Sequence, residues 1–383
     1  MKKKYRHLFT SVVFRSGIKI PTRFAMSPMV VEGSSKDGHV GEDDINYFSR
    51  RSETASMLIT GATSVTANTN AFGFGLANCD DSYIEGLKKL ANTMKKDGAI
   101  AVMQIFHPGR EAAFSYKEGK KAYGPSSIEF SFLDYPVTEL KSDEIEKIIK
   151  DFGEATLRAI KAGFDGVEIH GANHYLLQQF FSSTSNARKD RWGGTLEERS
   201  AFPLAVVDEV KRVIKENTDG SFVLGYRISP EEIHGSTIGY TFDDALFLIK
   251  EIDKKNIDYL HISQFGPEGF NNSPKIGIYK GKKIAKIIRE TLDQKTKILI
   301  AGDITSADKA LKASYISDMV ALASAAIIEP DFVKKIKNGE EKELSMNITN
   351  QKTNLMLPQN FSLIKDALKS NGSVPNSTLS LLE

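Results

Sequence analysis

The sequence predicts an α/β chain folded as a (β/α)8 TIM barrel, with an N-terminal β-hairpin before it and a C-terminal extension after it. Three observations carry this expectation. Short apolar runs of strand length alternate with helix-length amphipathic stretches from residue 23 to about residue 330, the pattern of a parallel sheet wrapped by helices. A chain of 383 residues falls within the size range of such barrels with insertions. No second domain is evident, and the only internal repeat is the barrel's own. The expected organisation is a barrel over residues 1–330, capped by a hairpin at 5–20, and an extension over 331–383 packed on the barrel or on a neighbouring subunit.

Taken in order, Val12-Val13-Phe14 and Ile18-Lys19-Ile20 flank Ser16-Gly17 and read as a hairpin that plugs the barrel bottom. Arg23 to Met29 is the first strand, which Pro28 should halt, freeing the main chain of Ser27 to Val30 to approach a flat ligand. Asp44 to Ser56 reads as the first helix, Met57 to Thr63 as the second strand, and the small residues there, Ala62 among them, leave room for a ring. Residues 64–80 form a Gly/Asn-rich loop; its Gly73-x-Gly75 lacks a third glycine and opens no βαβ unit, so it is not a dinucleotide fingerprint. Ser82–Lys96 is a helix, Ala99–Ile105 the third strand, and 111–140 a long loop. Ser142–Ala162 is a helix with an acidic first turn. Gly166–Ile169 is a buried strand, Ser200–Glu216 a helix, Phe222–Ile228 the fifth strand and 229–240 a loop. Phe242–Lys255 is a helix, Ile257–Ser263 the sixth strand and Gln264–Lys282 a loop over the barrel mouth. Lys297–Ile304 and Asp318–Ala325 complete the strands, and Phe361–Lys369 reads as an amphipathic helix in the extension.

Composition narrows the function. A formal net charge of +2 argues against a nucleic-acid footprint, and no apolar run approaches the ~20 residues of a membrane span. The N-terminus is basic but has no apolar signal-peptide core. A single cysteine, Cys79, permits neither an internal disulfide nor an iron–sulfur cluster. A cytoplasmic protein is expected.

The chemistry gathers where strand four ends. His170 and Asn173 stand three apart, so a helix starting there would put both on one face, with Tyr175 two residues on. An imidazole, an amide and a phenol at the C-terminal end of a barrel strand can grip an oxyanion and deliver a proton. Taken alone, the same residues also fit a strand cap and a half-buried aromatic. Downstream lies Ser185–Arg199, SNARKDRWGGTLEER. The His-x-x-Asn-x-Tyr strand end and this loop together closely resemble the old yellow enzyme family of FMN-dependent ene-reductases. Gln104-x-x-His107-x-Gly109-Arg110 is a second match to that family.

The resemblance implies a barrel that holds FMN and draws hydride from NADH or NADPH. It places Ser27, Pro28, Met29, Val30 and Ala62 along the flavin, Gln104 on its pyrimidine ring and Arg227 at its N1/O2 edge. It places Gly302, Asp303, Ala323 and Ser324 in the loops after strands seven and eight, where such barrels bind phosphate. Two departures stand out. Val30 occupies a position where the family often has Thr or Cys to hydrogen-bond the flavin, and Ala323-Ser324 replaces Gly-Arg, so phosphate binding should lean on main-chain donors. From the residues themselves, a buried Gln104 would cost about 1–3 kcal/mol without a partner, and a charged Arg227 in an apolar strand needs an anion, either a flavin or a neighbouring carboxylate.

The expected activity is a two-step transfer to a small-molecule electron acceptor, an α,β-unsaturated carbonyl compound or a similar electron-poor molecule. His170 and Asn173 would bind its oxygen, and Tyr175 would protonate the other alkene carbon. No nucleic-acid or membrane partner is expected, and the extension leaves a homo-oligomer open. The larger dienoyl-CoA reductases add a cysteine-bound cluster and a second domain, a form this chain is not expected to take. Two alternatives stay open: an NADH-dependent flavin reductase without a dedicated organic acceptor, and a flavin-free metal-dependent barrel hydrolase, aldolase or lyase using His107, His170 and His261. No metal ligands are assigned, because no His-x-His spacing supports the latter. A non-catalytic scaffold would be expected to lack His170, Asn173 or Tyr175, and all three are present.

Overall fold

A computed structural model describes residues 1–348, 352–361, 368–369 and 374–381. Eight parallel strands form a barrel: β1 (Phe24–Met26), β2 (Met57–Ile59), β3 (Ile100–Phe106), β4 (Gly166–Gly171), β5 (Val223–Ile228), β6 (Tyr259–Ile262), β7 (Lys297–Ile300) and β8 (Met319–Leu322). Each pairs with its chain neighbours, and β8 returns to β1 with Val320 opposite Phe24, so the barrel closes without an edge. The strands read as apolar runs because both faces are covered: every residue of β4 and β5 is buried. The covering helices are α1 (Glu42–Arg51), α2 (Ile84–Lys95), α3 (Ser142–Lys161), α4 (Leu196–Asn217), α5 (Phe242–Asp253), α6 (Ile284–Thr291), α7 (Ala307–Ser314) and α8 (Phe332–Asn338). Capping boxes start two of them. Thr195 accepts from the Glu198 amide and Thr241 from the Asp244 amide, while each carboxylate returns to the threonine N–H.

Strand alternation sorts the barrel interior by height. The lower level is apolar, with Ala25, Met57, Ile59, Val102, Val223, Leu299, Met319 and Ala321 in one cluster. Val12, Phe14 and Ile20 belong to the same cluster, and Phe14 lies 6.0 Å from the Tyr259 ring. The N-terminal hairpin (Val12–Val13 paired with Lys19–Ile20) thus packs with the lower level of the barrel, and a 3-10 helix at Lys3–Phe9 precedes it. Above it the interior turns polar. Gln104 lies opposite Glu168 in register, Arg227 opposite His170 and His261. Gly225 is required here because a Cβ on it would meet the Tyr259 ring at 2.2 Å.

Several boundaries differ from the sequence reading for identifiable reasons. The second strand stops at Ile59, and the chain rejoins β3 only at Thr63–Ser64. The seventh strand ends at Ile300 rather than Ile304, because Gly302 and Asp303 take positive φ values of 129° and 60°. The eighth ends at Leu322, and a short helix starts at Ser324. The helix read from Ser200 begins at Leu196, extended back by the Thr195 capping box. Residues 229–240 are not a plain loop: Glu232–His234 and Thr237–Tyr240 pair as an antiparallel hairpin. Residues 111–140 carry a short helix, Ala113–Lys117, and two paired strands, Ala122–Gly124 and Val137–Glu139. Over residues 362–367 the helix expected at Phe361–Lys369 lies outside the described residues.

The loop that carried the sequence resemblance is architectural. Asn186 donates to the carbonyls of Phe180 and Trp192, each at 2.7 Å, and accepts from the Arg188 amide at 3.1 Å. The Arg188 guanidinium, 6% exposed, pairs with Asp190 at 2.6 Å and donates to the carbonyls of Pro125 and Leu140. Arg188→Ala strands these acceptors and is expected to cost about 2–4 kcal/mol in urea denaturation while the folded fraction keeps its cofactor. Equal stability of variant and wild type would show that the loop is not held this way.

Candidate active site

The C-terminal strand ends surround an inner cavity of about 240 Å3. All the residues expected at the site line it. Ser27 to Val30 and Ala62 come from the ends of β1 and β2, Gln104 from β3, His170 from β4 and Arg227 from β5. Asn173 and Tyr175 come from the turn after β4, and Gly302, Asp303, Ala323 and Ser324 from the loops after β7 and β8. Pro28 does end its strand: the ladder stops at Met26, with a last main-chain bond from Ser27 N–H to the Leu322 carbonyl at 2.9 Å.

His170 and Asn173 do not share a helical face. His170 is still in β4, and Asn173 and His174 take left-handed φ values of 57° and 64° before a helix begins at Leu176. This reversal, rather than a helical period, delivers the side chains. The Ala172 amide donates to His170 Nδ1 at 3.3 Å, so the neutral ring carries its proton on Nε2. Burial first, then the Arg227 and His261 charges, hold the imidazole well below its usual pKa, so it stays neutral. Asn173 Oδ1 accepts from Ser263 Oγ at 2.9 Å, which in turn accepts from Arg227 Nη2 at 3.1 Å, leaving the Asn173 NH2 without a partner among the described residues and able to donate. The Tyr175 ring is wedged edge-on between Phe106 and His170, with centroids 5.0 Å from each. Burial pushes its phenol up, so it is protonated at neutral pH.

Beneath these groups lies a buried network centred on Glu168. Gln104 Nε2 donates to one carboxylate oxygen at 2.6 Å, and Tyr259 and His261 Nδ1 reach the other at 2.9 Å. Burial works to raise the Glu168 carboxyl, but His261, Arg227 and Gln104 outweigh it and hold it below its usual range. Gln104 is thus half-satisfied by protein, and His261 is less settled than an interior histidine should be, because its Nε2 is buried without a partner among the described residues. His107 does not line the inner cavity; its Nδ1 accepts from the Gly109 amide at 3.0 Å and holds its own loop.

The sequence reading missed Ser263, Ser229 and Gln264, which sit just past β5 and β6, and Glu168 itself. A carboxylate inside an apolar strand was the available signal for Glu168; the others give none locally. Ser27 Oγ, Arg227 Nε and both amide atoms of Gln264 are buried without partners among the described residues. Each unmet group costs about 1–3 kcal/mol, so this wall is built to receive a polar-edged planar ligand. A Cβ on Gly302 would meet the Phe270 nitrogen at 2.4 Å, so the main chain there comes as close as glycine permits. Asp303, also in the wall, is neutralised by Lys309 at 2.7 Å, and Arg227 is the one cation lining the cavity among the described residues. These donors, with the main chain of the β7 and β8 loops, fit FMN.

A parallel barrel with this wall at its strand ends is that of a flavin oxidoreductase. The chain belongs to the NADH:flavin oxidoreductase / NADH oxidase family, whose model matches residues 7–343, and within it resembles the old yellow enzymes. A Bacillus subtilis protein named "Probable NADH-dependent flavin oxidoreductase" is 41% identical over 90% of this chain and 91% of its own length. The NADH:acrylate oxidoreductase of Vibrio harveyi is 38% identical over 87% of this chain but only 33% of its own length. Among solved structures, morphinone reductase superposes with a TM-score of 0.74 at 24% identity, covering 87% of this chain and 91% of its own. The old yellow enzyme homologue of Zymomonas mobilis gives a TM-score of 0.75 at 21% identity, covering 92% and 99%. FMN is the cofactor and NAD(P)H the hydride donor. The flavin-free reading is thereby overturned, and His107, His170 and His261 form no metal-ligating group among the described residues. No helix among the described residues is long and apolar enough to cross a membrane.

Buried neutral histidines set an acid limit on stability. Burial holds His107 down at about 3, and His170 also lies well below its ordinary 6.5. Both folded pKa values are depressed, so below about pH 6.5 the unfolded chain binds more protons and stability falls, by about 1.4 kcal/mol per pH unit per group. Asp44 acts oppositely, since burial raises it to about 6, and offsets one of the two below that pH. Urea midpoints measured at pH 7, 6 and 5 are expected to decrease, with a shallower fall in His107→Gln; a flat profile contradicts the assignment.

Proposed function

We propose that this protein reduces the activated double bond of small α,β-unsaturated carbonyl or nitro compounds, using NAD(P)H as the reductant. One observation carries the reading: the neutral His170 Nε2–H, and the Asn173 NH2 and Tyr175 hydroxyl that have no partner among the described residues, all belong to side chains lining one cavity. FMN, when bound, supplies hydride uptake from the nicotinamide and hydride delivery to the acceptor. His170 and Asn173 bind the acceptor's oxygen and stabilise the charge that builds on it. Their donors are fixed beforehand by Ala172 and by the Arg227–Ser263 chain, so little reorganisation is needed. Tyr175 then gives its proton to the other alkene carbon. Donor and acceptor take turns in the one inner cavity, which makes the kinetics ping-pong. The names of the acrylate oxidoreductase and of the Klebsiella pneumoniae NADH:fumarate oxidoreductase support an electron-poor alkene as acceptor class.

The test is a visible spectrum of the purified protein, then anaerobic NADH, then 2-cyclohexenone. Flavin bands that bleach with NADH and return with the enone are expected. Return only with oxygen or free flavin would replace this reading with a flavin reductase that has no organic acceptor.

A further inference from the structure

A second cluster lies outside the inner cavity. An outer cavity of about 700 Å3 adjoins it, sharing Phe72, Asn173 and Tyr175 in its walls. Three of its lining side chains, His174, Glu232 and His234, bring one donor atom each within 4.8 Å of the others. We propose that these three residues form a binding site for a divalent transition-metal ion of the zinc class at the mouth of the active site.

The donor set is two imidazoles and a carboxylate, which suits such ions and, with three protein ligands, leaves a coordination position open to the cavity. Bonds of about 2.0–2.2 Å in a tetrahedral site put ligand atoms about 3.3 Å apart. His174 Nδ1 and Glu232 Oε2 already stand 3.6 Å apart, so the closure needed falls on His234. His234 is exposed, next to Gly235 at the hairpin turn, and its ring already tilts toward His174 with centroids 5.1 Å apart.

The supporting shell is in place. Gln178 Nε2 donates to Glu232 Oε2 at 2.7 Å and lies 3.3 Å from His174 Nδ1, so it marks the two lone pairs that converge at the centre of the cluster and would have to give way there to a bound ion. Gln178 Oε1 takes the His174 main-chain N–H at 3.0 Å. Ser182 and Thr184 donate to Glu232 Oε1 at 2.7 and 3.0 Å, leaving Oε2 to face the imidazoles. Ligand orientation of this kind is what outer-shell partners supply around bound metals. His174 also occupies a left-handed φ of 64°, an uncommon place for a bulky side chain. A bound ion would tie the Glu232–Tyr240 hairpin to the turn that carries Asn173 and Tyr175.

The experiment is calorimetric titration of the untagged, FMN-loaded protein with Zn2+ in metal-free buffer. One saturable site per chain is expected. His234→Ala should weaken it at least about tenfold while FMN content and NADH-dependent bleaching stay unchanged. His174→Gly should weaken it similarly and stay folded, since glycine accepts the left-handed backbone. His39→Ala, at a distant surface histidine stacked on Tyr83, should change nothing. The proposal is overturned if no saturable binding occurs, if His234→Ala and His174→Gly bind as the parent does, or if the site is lost in His39→Ala.

Discussion

In Tyr175→Phe, enone-dependent reoxidation is expected to slow by about 100- to 10,000-fold, the usual worth of a positioned general acid, with reduction by NADH changed only a few-fold. The separation follows from where the hydroxyl stands. It makes no hydrogen bond among the described residues, so its loss leaves no protein group unpaired, and the phenyl ring keeps its edge contacts with Phe106 and His170. The variant should therefore fold and retain FMN. Because burial pushes the phenol up, it is a proton donor throughout the neutral range, and no pH between 6 and 9 should mimic the substitution. Stopped-flow traces of the two half-reactions decide the matter. Equal slowing of both, or no slowing of either, would remove Tyr175 from the proton-transfer role. Full rate recovery with an acceptor that needs no carbon protonation, such as a quinone, would strengthen it.

The barrel was legible because closed parallel strands are buried on both faces, and runs such as Ile298-Leu299-Ile300 admit few other readings. Its boundaries were less so. Apolar residues continue to Ile304, but the chain leaves the sheet at Ile300, where a ligand-facing turn and not hydrophobicity sets the course. The hairpin at 232–240 escaped because its strands are short and its alternation is interrupted by a bulge at Glu232/Ile233. At the site, a helical spacing pairs His170 with Asn173 in the sequence, but the structure does not use it; a left-handed turn brings them and Tyr175 to the cavity instead. Ser263 and Gln264 were invisible for a different reason. Ser263 meets Asn173 and Arg227, 90 and 36 positions away in the chain, and Gln264 lines the cavity with an amide that has no partner among the described residues; no local pattern records either.

The same cross-strand logic makes Glu168→Gln the most damaging change expected in the barrel interior. The carboxylate is fully buried, accepts from Gln104, Tyr259 and His261, and is the anion that balances Arg227. A neutral amide of the same size keeps the packing but removes that charge and places an NH2 group against donors that expect an acceptor. Breaking a buried charge system from one side typically costs about 3–5 kcal/mol, and that loss is expected in urea denaturation of the FMN-free protein, where no cofactor masks it. Tyr259→Phe is the calibrating comparison. It removes one hydrogen bond to the same carboxylate and leaves the charge, so about 1.5–3 kcal/mol is expected. The order of the two matters more than either value. If Glu168→Gln destabilises no more than Tyr259→Phe, the carboxylate is acting as one hydrogen-bond acceptor among several. Arg227 would then be left for the cofactor alone to balance. If the larger loss is found, the charge that faces the cofactor is already balanced from beneath by the barrel, and the site exists before the cofactor arrives.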